Sequence, residues 1–551
     1  MIADVSALQR ARASYEPKLP AVLQQAVRGG GGLTVTLGEP TAPPTDQEAI
    51  AALYPATYGQ PVATLDAAPG GETPRPLRVG VVLSGGQAPG GHNAIAGLFD
   101  ALKSFHPDSR LFGYLKGPIG VIRGKQRELT AEYIEPFRNT GGFSMIMSGR
   151  DKIETPEDLA ACQANLEALR LDGLVVIGGD DSNTNAAALA EYLKAAGSPI
   201  VVVGVPKTID GDMKNEQIEA SFGFDTACKT YSELIGNIAR DATSAVKYWH
   251  FIRLMGRSAS HVTLECALQT HPNVCLVGEE IEARGMGLAA VVEQVVDVIT
   301  SRAAKGLNYG ILLVPEGIVE FMPDFKQLIA ELKAFVHGRE DDLAVMPDRA
   351  DRVALTLHHL TAASAAVYTS LPDGTQDVLL TCDSHGNIPV SQIETERLLV
   401  DMVAARLAEA EEPVKFAALT HFFGYEGRCA PPSNFDSDYT YTLGATAAAF
   451  VRAGLTGYTV HVRNLLAPHA DWAPGGTPVT MMLNMELRKG KQVPVIKKTL
   501  VDLHGEPLHA WREHAPLWAD EDHYVFPGPI QYWGPPEVCD APTLTLRLER
   551  S

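Results

Sequence analysis

The sequence predicts an α/β protein: two Rossmann-like domains with largely parallel sheets facing one cleft, a helical N-terminal arm, a mostly helical insertion and a C-terminal extension. Three observations carry this expectation. Leu174–Ile177 and Ile200–Val205 are apolar β-type runs, each ending in a polar loop, with a helix-like segment between them. A strand–loop–helix–strand unit of this length is a parallel crossover, which brings both loops to one sheet edge. The same alternation occurs twice, over 77–212 and again over 246–314, with no low-complexity tract and no short repeat.

Composition sets the class. The chain has 551 residues, room for two to four domains at about 150 residues each. Apolar residues make up 45% and charged residues 20%, as in ordinary globular proteins. The net charge of −20, from 46 basic and 66 acidic side chains, argues against nucleic acid or an anionic membrane as partner. The cysteines at 162, 228, 266, 275, 382, 429 and 539 are scattered and form no CxxC, which reads as reduced thiols in the cytoplasm and disfavours zinc. No apolar run approaches membrane-spanning length.

Residues 1–74 precede any strand expected to start the main sheet. Ala7–Val27 has helical spacing, Gly29–Gly32 breaks it, and Gly38–Pro44 is a Pro-rich loop. Thr45–Glu48 resembles a capping box for a second helix through Leu53. This segment is either an arm packed on the core or on a partner subunit, or a surface decoration. Leu77–Leu83 is a Val-rich strand, followed by Ser84–Gly91 and a helix over Asn93–Phe105. A glycine-rich turn at a helix start offers backbone N–H groups to an anion. It does not fit GxGxxG and lacks the acidic strand end about 20 residues on, which disfavours a dinucleotide fold. Gly113–Gly124 reads as strand and turn, Leu129–Phe137 as helix, and Gly141–Arg150 as a second glycine-rich loop. Arg150 is either a phosphate ligand or a surface arginine near a turn. Thr155 caps a helix through Leu171.

The centre of the chain is Ile177–Asp212. It holds Gly178-Gly179-Asp180-Asp181-Ser182 after one strand and Pro206-Lys207-Thr208-Ile209-Asp210-Gly211-Asp212 after the next. Four carboxylates and one lysine thus reach one sheet edge, where ligands of open α/β sheets bind. Such carboxylates suit holding Mg²⁺ and removing a proton from a hydroxyl. Asp181 also reads as the N-cap of a helix at Asn183, and Lys207 as a solvated loop lysine. Beyond it, Phe224–Ala242 reads as helix. Val246–Leu254 is a strand leaving through Met255-Gly256-Arg257, and Tyr309–Val314 is a strand leaving through Pro315-Glu316-Gly317. Helices cover Leu288–Arg302 and Phe321–Val336. The region 338–413 is irregular, then helical from Gln392. Val414–Leu419 is a strand leading through His421 to Gly424-Tyr425-Glu426-Gly427-Arg428. A helix covers Ser437–Ala453, strands Tyr458–Val462 and Val479–Met482, and the aromatics of Trp511–Trp533 read as packing for a C-terminal lobe. His261 and His271 read as structural.

The pair GGDDS and PKTIDGD resembles the diphosphate-dependent branch of the 6-phosphofructokinases, in the long form found in plants and several bacteria and protists. SGGQAPG, MGR, PEG and GYEGR follow the family order, and the resemblance covers roughly Val79 to Leu455. It implies reversible transfer of a phosphoryl group from diphosphate to the 1-hydroxyl of fructose 6-phosphate, a glycolytic step. It further implies Mg²⁺ on Asp180, and Asp210 as the base oriented by Thr208 and Asp212. Gly86, Arg150 and Lys207 would contact the donor. The sugar phosphate would meet Thr208, Ile209, Asp210, Met255, Gly256, Arg257, Glu316, Tyr425, Glu426, Gly427 and Arg428, while Lys247 and Tyr248 would reach a substrate held by the neighbouring subunit of a homodimer. Asp181 and Lys207 stand where the ATP-dependent branch has glycine, so a carboxylate fills and repels the nucleotide's place and a lysine neutralises leaving phosphate. The implied domains are 1–74, an N-terminal extension; 75–220 with 426–500, binding diphosphate and Mg²⁺; 221–425, binding the sugar phosphate; and 501–551, a C-terminal extension.

Three rival readings stand beside this: an ATP-dependent 6-phosphofructokinase, another GGD kinase of the NAD or lipid class, and a non-catalytic regulatory subunit. MGR, PEG and GYEGR in series argue against the second. Intact Asp180, Lys207 and Asp210 argue against the third. Gly211 and Gln87 depart from the TIDND and GGDAPG loops of the ATP-type enzymes and leave the fine geometry around Mg²⁺ open.

Overall fold

The computed structural model describes residues 9, 12–29, 31–69, 75–337, 339, 343, 345–346, 348–381, 388–411, 413–488, 491–529 and 540–550. Cys382, Cys539 and Trp533 lie outside them, as do most of residues 1–11. In chain order the strands are β1 (Gly32–Pro40), β2 (Pro61–Ala68), β3 (Arg78–Ser84), β4 (Arg110–Tyr114), β5 (Gln126–Leu129), β6 (Ser148–Gly149), β7 (Gly173–Gly178) and β8 (Val201–Pro206). They continue as β9 (Tyr248–Leu254), β10 (Val274–Cys275), β11 (Tyr309–Pro315), β12 (Ala418–Phe423), β13 (Tyr458–Arg463), β14 (Ala473–Pro478), β15 (Leu483–Arg488) and β16 (Lys491–Ile496). The chain divides into two compact units. The first is Met1–Thr230 with Tyr425–Thr499 and Ile530–Ser551, and the second is Tyr231–Gly424 with Leu500–Pro529.

The first unit is built on a sheet ordered β1-β2-β14-β13-β8-β7-β3-β4-β5, with β6 also on β3. Its centre is parallel: β13 on β8, β8 on β7, β7 on β3 and β3 on β4. β3, β7 and β8 are Val-rich because both their faces are buried, as a parallel sheet covered by helices requires. Gly178 pairs with Pro206, Leu83 with Ile177, and Ser84 with Gly149. The loops after β3, β6, β7 and β8 therefore leave at one edge. The helices Gly91–Phe105 and Asn434–Arg452 approach so closely that a Cβ on Gly97 would meet the Tyr441 carbonyl oxygen at 2.1 Å, and one on Gly444 the Ala94 carbonyl oxygen at 2.0 Å.

Four expectations for this unit are corrected. The N-terminal segment is not only helical: β1 and β2 are antiparallel strands that extend the main sheet through β14. β1 buries no residue fully, but its alternation Leu33-Thr34-Val35-Thr36-Leu37 is a strand signal that the helical reading of this segment passes over. Thr45 forms no capping box; the helix Gln47–Leu53 starts after Asp46 without a side-chain cap. The strand expected at Val479–Met482 is a 3₁₀ turn, and the strand is the preceding Ala473–Pro478. Its glycines are required there, since a Cβ on Gly476 would come within 2.2 Å of the Phe450 ring. The helix expected at Leu129–Phe137 shortens to Ala131–Ile134 plus a 3₁₀ turn.

The second unit has a parallel sheet ordered β10-β11-β9-β12. β12 starts four residues later than the predicted Val414–Leu419, which moves His421 from the exit loop into the strand, where its Nε2 lies 2.9 Å from His250 Nδ1. Burial holds both imidazoles below their usual pKa, His250 at about 4. The insertion is helical over Arg349–His359, Ala362–Ser370, Asp373–Leu379 and Thr395–Ala408, so it is not irregular before Gln392. It packs on its own unit: Tyr368, Leu379, Leu398 and Val403 join the core around Trp249, Phe251 and Leu312. A buried ion pair, Arg253 to Glu396 at 2.8 Å, ties its last helix to β9. The helix Glu506–Asp520 packs on this unit too, with Trp518 stacked on His271 at 3.8 Å, so those aromatics and that histidine serve packing. No helix among the described residues is long and apolar enough to cross a membrane.

Candidate active site

The helix after β7 begins at Asp180, with Gly179 as its cap. Asp180 and Asp181 therefore occupy the first turn, where the helix dipole favours negative charge. The expected start at Asn183, with Asp181 as N-cap, is corrected. Asn183 instead builds the loop from below. Its fully buried amide donates to the Gly178 carbonyl at 2.7 Å and the Gly179 carbonyl at 3.0 Å, and its oxygen accepts from Thr459 at 2.9 Å. Ser182 donates to Ser84 at 2.8 Å, linking the loops after β7 and β3.

Lys207 is not a solvated loop lysine. It is 7% exposed, and its backbone N–H bonds the Gly178 carbonyl at 2.9 Å. Its ammonium lies 3.4 Å from where a Gly85 Cβ would stand, so the side chain runs to the loop after β3. Desolvation lowers its pKa to about 8, opposed by Asp210, Asp180 and Asp212, while Arg428 pushes it further down. Lys207 is thus a buried cation with three carboxylates and a guanidinium acting on it. Thr208 Oγ1 accepts the Asp210 N–H at 3.1 Å, folding the loop back on itself. Asp212 is buried, and its carbonyl accepts the Thr499 N–H at 2.8 Å.

Arg428 sits in the short helix Tyr425–Cys429. A Cβ on Gly86 would stand 2.0 Å from its Nη2, and its Nε donates to the Gln87 carbonyl at 3.3 Å. The guanidinium thus lies over the glycine-rich loop after β3, beside Lys207. Tyr425 is largely exposed, with the guanidinium 5.5 Å from its ring. Glu426 is exposed and Gly427 buried. Arg150 is exposed just after β6, at the same sheet edge. Ile209, within the loop after β8, is buried. Gly86→Ala displaces the Arg428 guanidinium, the free end of a flexible side chain, so the fold survives. Steady-state kinetics should show the donor KM rising several-fold.

The second unit holds a separate group. Gly256, at φ +153°, donates its N–H to the Glu316 carboxylate at 3.3 Å. The Glu316 N–H bonds the Leu254 carbonyl at 3.0 Å, and a Cβ on Gly317 would strike the Arg257 carbonyl. The MGR and PEG loops are therefore stitched together, with Arg257 exposed beside Met255 and Glu316. Lys247 is exposed, its ammonium 4.9 Å from the Tyr248 ring. Val246 at φ +53° and Tyr248 at φ +73° flank it, a conformation β-branched and bulky residues rarely adopt.

Sequence reasoning missed two cations of the first unit, both delivered by the β15–β16 hairpin and its exit. Arg488 bonds Asp181 at 2.9 Å and Glu486 at 3.2 Å, with Lys152 3.9 Å from the same aspartate. Lys498 lies 3.6 Å from Asp180 and 3.5 Å from Asp212. Burial would lower the Lys498 pKa, but Asp180, Asp212 and Asp210 outweigh it and raise it. The visible signal was a Lys497-Lys498 pair ending a β-type run in an acidic chain.

The phosphofructokinase family model matches residues 78–451. The chain belongs to the phosphofructokinase family. Every predicted site residue of this phosphofructokinase, Gly86 to Arg428, lies inside the match, whereas Arg488 and Lys498 lie beyond it. It is 54% identical over 553 residues to pyrophosphate–fructose 6-phosphate 1-phosphotransferase of Porphyromonas gingivalis, covering 99% of each chain. It is 51% identical to the protein of that name from Treponema pallidum, covering 99% of this chain and 97% of the other. To the beta subunit from Solanum tuberosum it is 46% identical, covering 99% and 94%. The fold is similar to that of a pyrophosphate-dependent phosphofructokinase from Nitrosospira multiformis, at a TM-score of 0.54 and 16% identity, covering 81% of this chain and 93% of that one.

Proposed function

We propose that this phosphofructokinase transfers a phosphoryl group reversibly from diphosphate to the 1-hydroxyl of fructose 6-phosphate, giving fructose 1,6-bisphosphate and phosphate in glycolysis. One observation carries the choice of donor: Asp181 on the first helical turn after β7, with Lys207 buried at the paired exit of β8. Asp181 occupies the space a nucleotide needs beyond its β-phosphate. Arg488 offsets much of its charge, so exclusion rests more on occupied space than on repulsion. Lys207, with no solvent to screen it, neutralises charge on departing phosphate.

Asp210 takes the proton from the attacking hydroxyl, and Thr208 and Asp212 hold the loop that aims it. Gly86, Arg150, Lys207 and Arg428 cradle the donor, the last by its place over Gly86. Arg257 and Glu316 bind the sugar phosphate through a fixed guanidinium fork and an acceptor for hydroxyls. Met255 and Gly256 complete that loop, and Tyr425 and Glu426 flank the phosphate. Phosphoryl transfer depends mainly on such positioning and charge neutralisation.

Mg²⁺ fits the residues present. Among the described residues no cluster of three or more His, Cys, Asp and Glu is arranged to hold a metal. Mg²⁺ needs only one or two carboxylates when substrate phosphates supply the rest, and the Lys498 ammonium stands where one cation reaches both Asp180 and Asp212. Asp180 would hold the ion, which when bound neutralises donor oxygens.

The exposed Lys247, flanked by Val246 and Tyr248 at positive φ, supports a homodimer in which each copy completes the other's sugar site. Five described cysteines are free thiols, in keeping with the cytoplasm. ³¹P NMR tests the reaction: diphosphate with fructose 6-phosphate and Mg²⁺ should yield orthophosphate and fructose 1,6-bisphosphate in equal amounts, and the reverse mixture should regenerate diphosphate. Diphosphate that persists unchanged over hours would overturn the proposal.

Arg488→Gln removes a guanidinium from beside Asp181. An ion pair this exposed contributes only about 0–1 kcal/mol to stability, so Tm should barely move. The loss of positive charge near the donor should raise the diphosphate KM about 3–10-fold, with kcat within roughly twofold.

A further inference from the structure

Lys498 lies outside the phosphofructokinase match, yet its ammonium stands between two carboxylates of the donor site, 3.6 Å from Asp180 and 3.5 Å from Asp212. The placement is built. Just before it, the Lys497 N–H bonds the Met482 carbonyl at 3.0 Å. Just after it, the Thr499 N–H bonds the Asp212 carbonyl at 2.8 Å, and the Thr499 hydroxyl bonds the Lys214 carbonyl at 2.6 Å. The strand exit is therefore fixed on both sides of the side chain, to the start of the hairpin before it and to the Asp212–Lys214 segment after it. The side chain is only partly buried, so its flexible stem can move the ammonium aside.

We propose that Lys498 is an internal counter-ion that occupies the metal carboxylates of the free enzyme and yields them only when the metal arrives with diphosphate. This rests on the reading of Asp180 as the metal ligand. Two carboxylates sharing one cation repel each other unless it is present. A lysine held by the fold supplies that charge at all times, so a lone divalent ion must displace it to bind. Diphosphate changes the balance, because its oxygens both ligate the metal and accept the displaced ammonium. Metal and donor then bind synergistically, and by reciprocity each tightens the other by the same factor. Removing the ammonium should strengthen metal binding to the free enzyme and weaken the synergy.

The test is Mn²⁺ binding to the full-length enzyme, read by electron paramagnetic resonance, with and without methylenediphosphonate as a non-transferable donor. Lys498→Met should bind Mn²⁺ at least about tenfold more tightly than the parent without the donor analogue, and the analogue should tighten it less. Lys498→Arg, which keeps the charge, should behave like the parent and controls for disturbance of the hairpin. An Mn²⁺ affinity in Lys498→Met equal to or weaker than that of the parent overturns the role of Lys498. Asp180→Asn separates the two layers. If it binds Mn²⁺ as the parent does, the metal assignment fails and this proposal fails with it. If it loses the metal while Lys498→Met gains none, the assignment stands and only the counter-ion role is lost.

Discussion

Asp181→Gly combined with Lys207→Gly should lose most diphosphate turnover, about 10²-fold or more in kcat/KM, and gain measurable ATP-dependent turnover in a coupled assay with each donor. The loss follows from Lys207. The residue is 7% exposed, and removing one charge-stabilising donor from a water-excluded site typically costs about 10²–10³ in rate. The gain follows from what stays behind. Removing the Asp181 side chain opens space and leaves Arg488, now bonded at 2.9 Å to that carboxylate, ready to meet the α-phosphate of a nucleotide. The first change alone should open the site without restoring rate, and the second alone should abolish diphosphate activity while the carboxylate still blocks ATP. Full diphosphate turnover in the double variant would mean the donor is chosen elsewhere.

Asp210→Ser should lower kcat by about 10²–10⁴-fold, the usual share of a general base, with the fructose 6-phosphate KM within about threefold. The Thr208 hydroxyl caps the Asp210 backbone N–H rather than its side chain, so the loop keeps its shape when the carboxylate is lost. Single-turnover kinetics separate the chemical step from binding. An unchanged kcat would remove Asp210 from the role of base, and an equal loss in affinity would make it a binding residue instead.

The parallel core of both units was legible because β3, β7, β8, β9 and β11 are largely apolar runs, Val-rich in the first unit and aromatic or Leu/Ile-rich in the second, buried on both faces. The loops they carry were legible from residue type alone, since Asp180, Asp181, Lys207 and Asp210 cluster within two short stretches. What escaped has a different physical signature. β1 is an edge strand whose short alternation of Leu33, Val35 and Leu37 is buried only in part, unlike the continuous apolar runs of the core. β14 is a glycine and proline run whose strand character comes from its pairing with β13 and β2, with Phe450 and the Ala63 backbone too close to Gly476 and Gly475 for side chains there. Arg488 and Lys498 are ordinary basic residues some 300 positions from the aspartates they meet, and only the hairpin's tertiary placement gives them a role. Arg428 was read from its motif as a sugar-phosphate ligand, while its position over Gly86 follows from a contact between segments 342 residues apart. Lys207 could not be told from a solvated lysine until its burial was known.

The central claim is that this chain is built for an inorganic donor. The most direct measurement is kcat/KM with diphosphate and with ATP on the same preparation, at fixed free Mg²⁺ and saturating fructose 6-phosphate. Diphosphate should be preferred by several orders of magnitude, with ATP turnover near background. Comparable values for the two donors, or a preference for ATP, would contradict it.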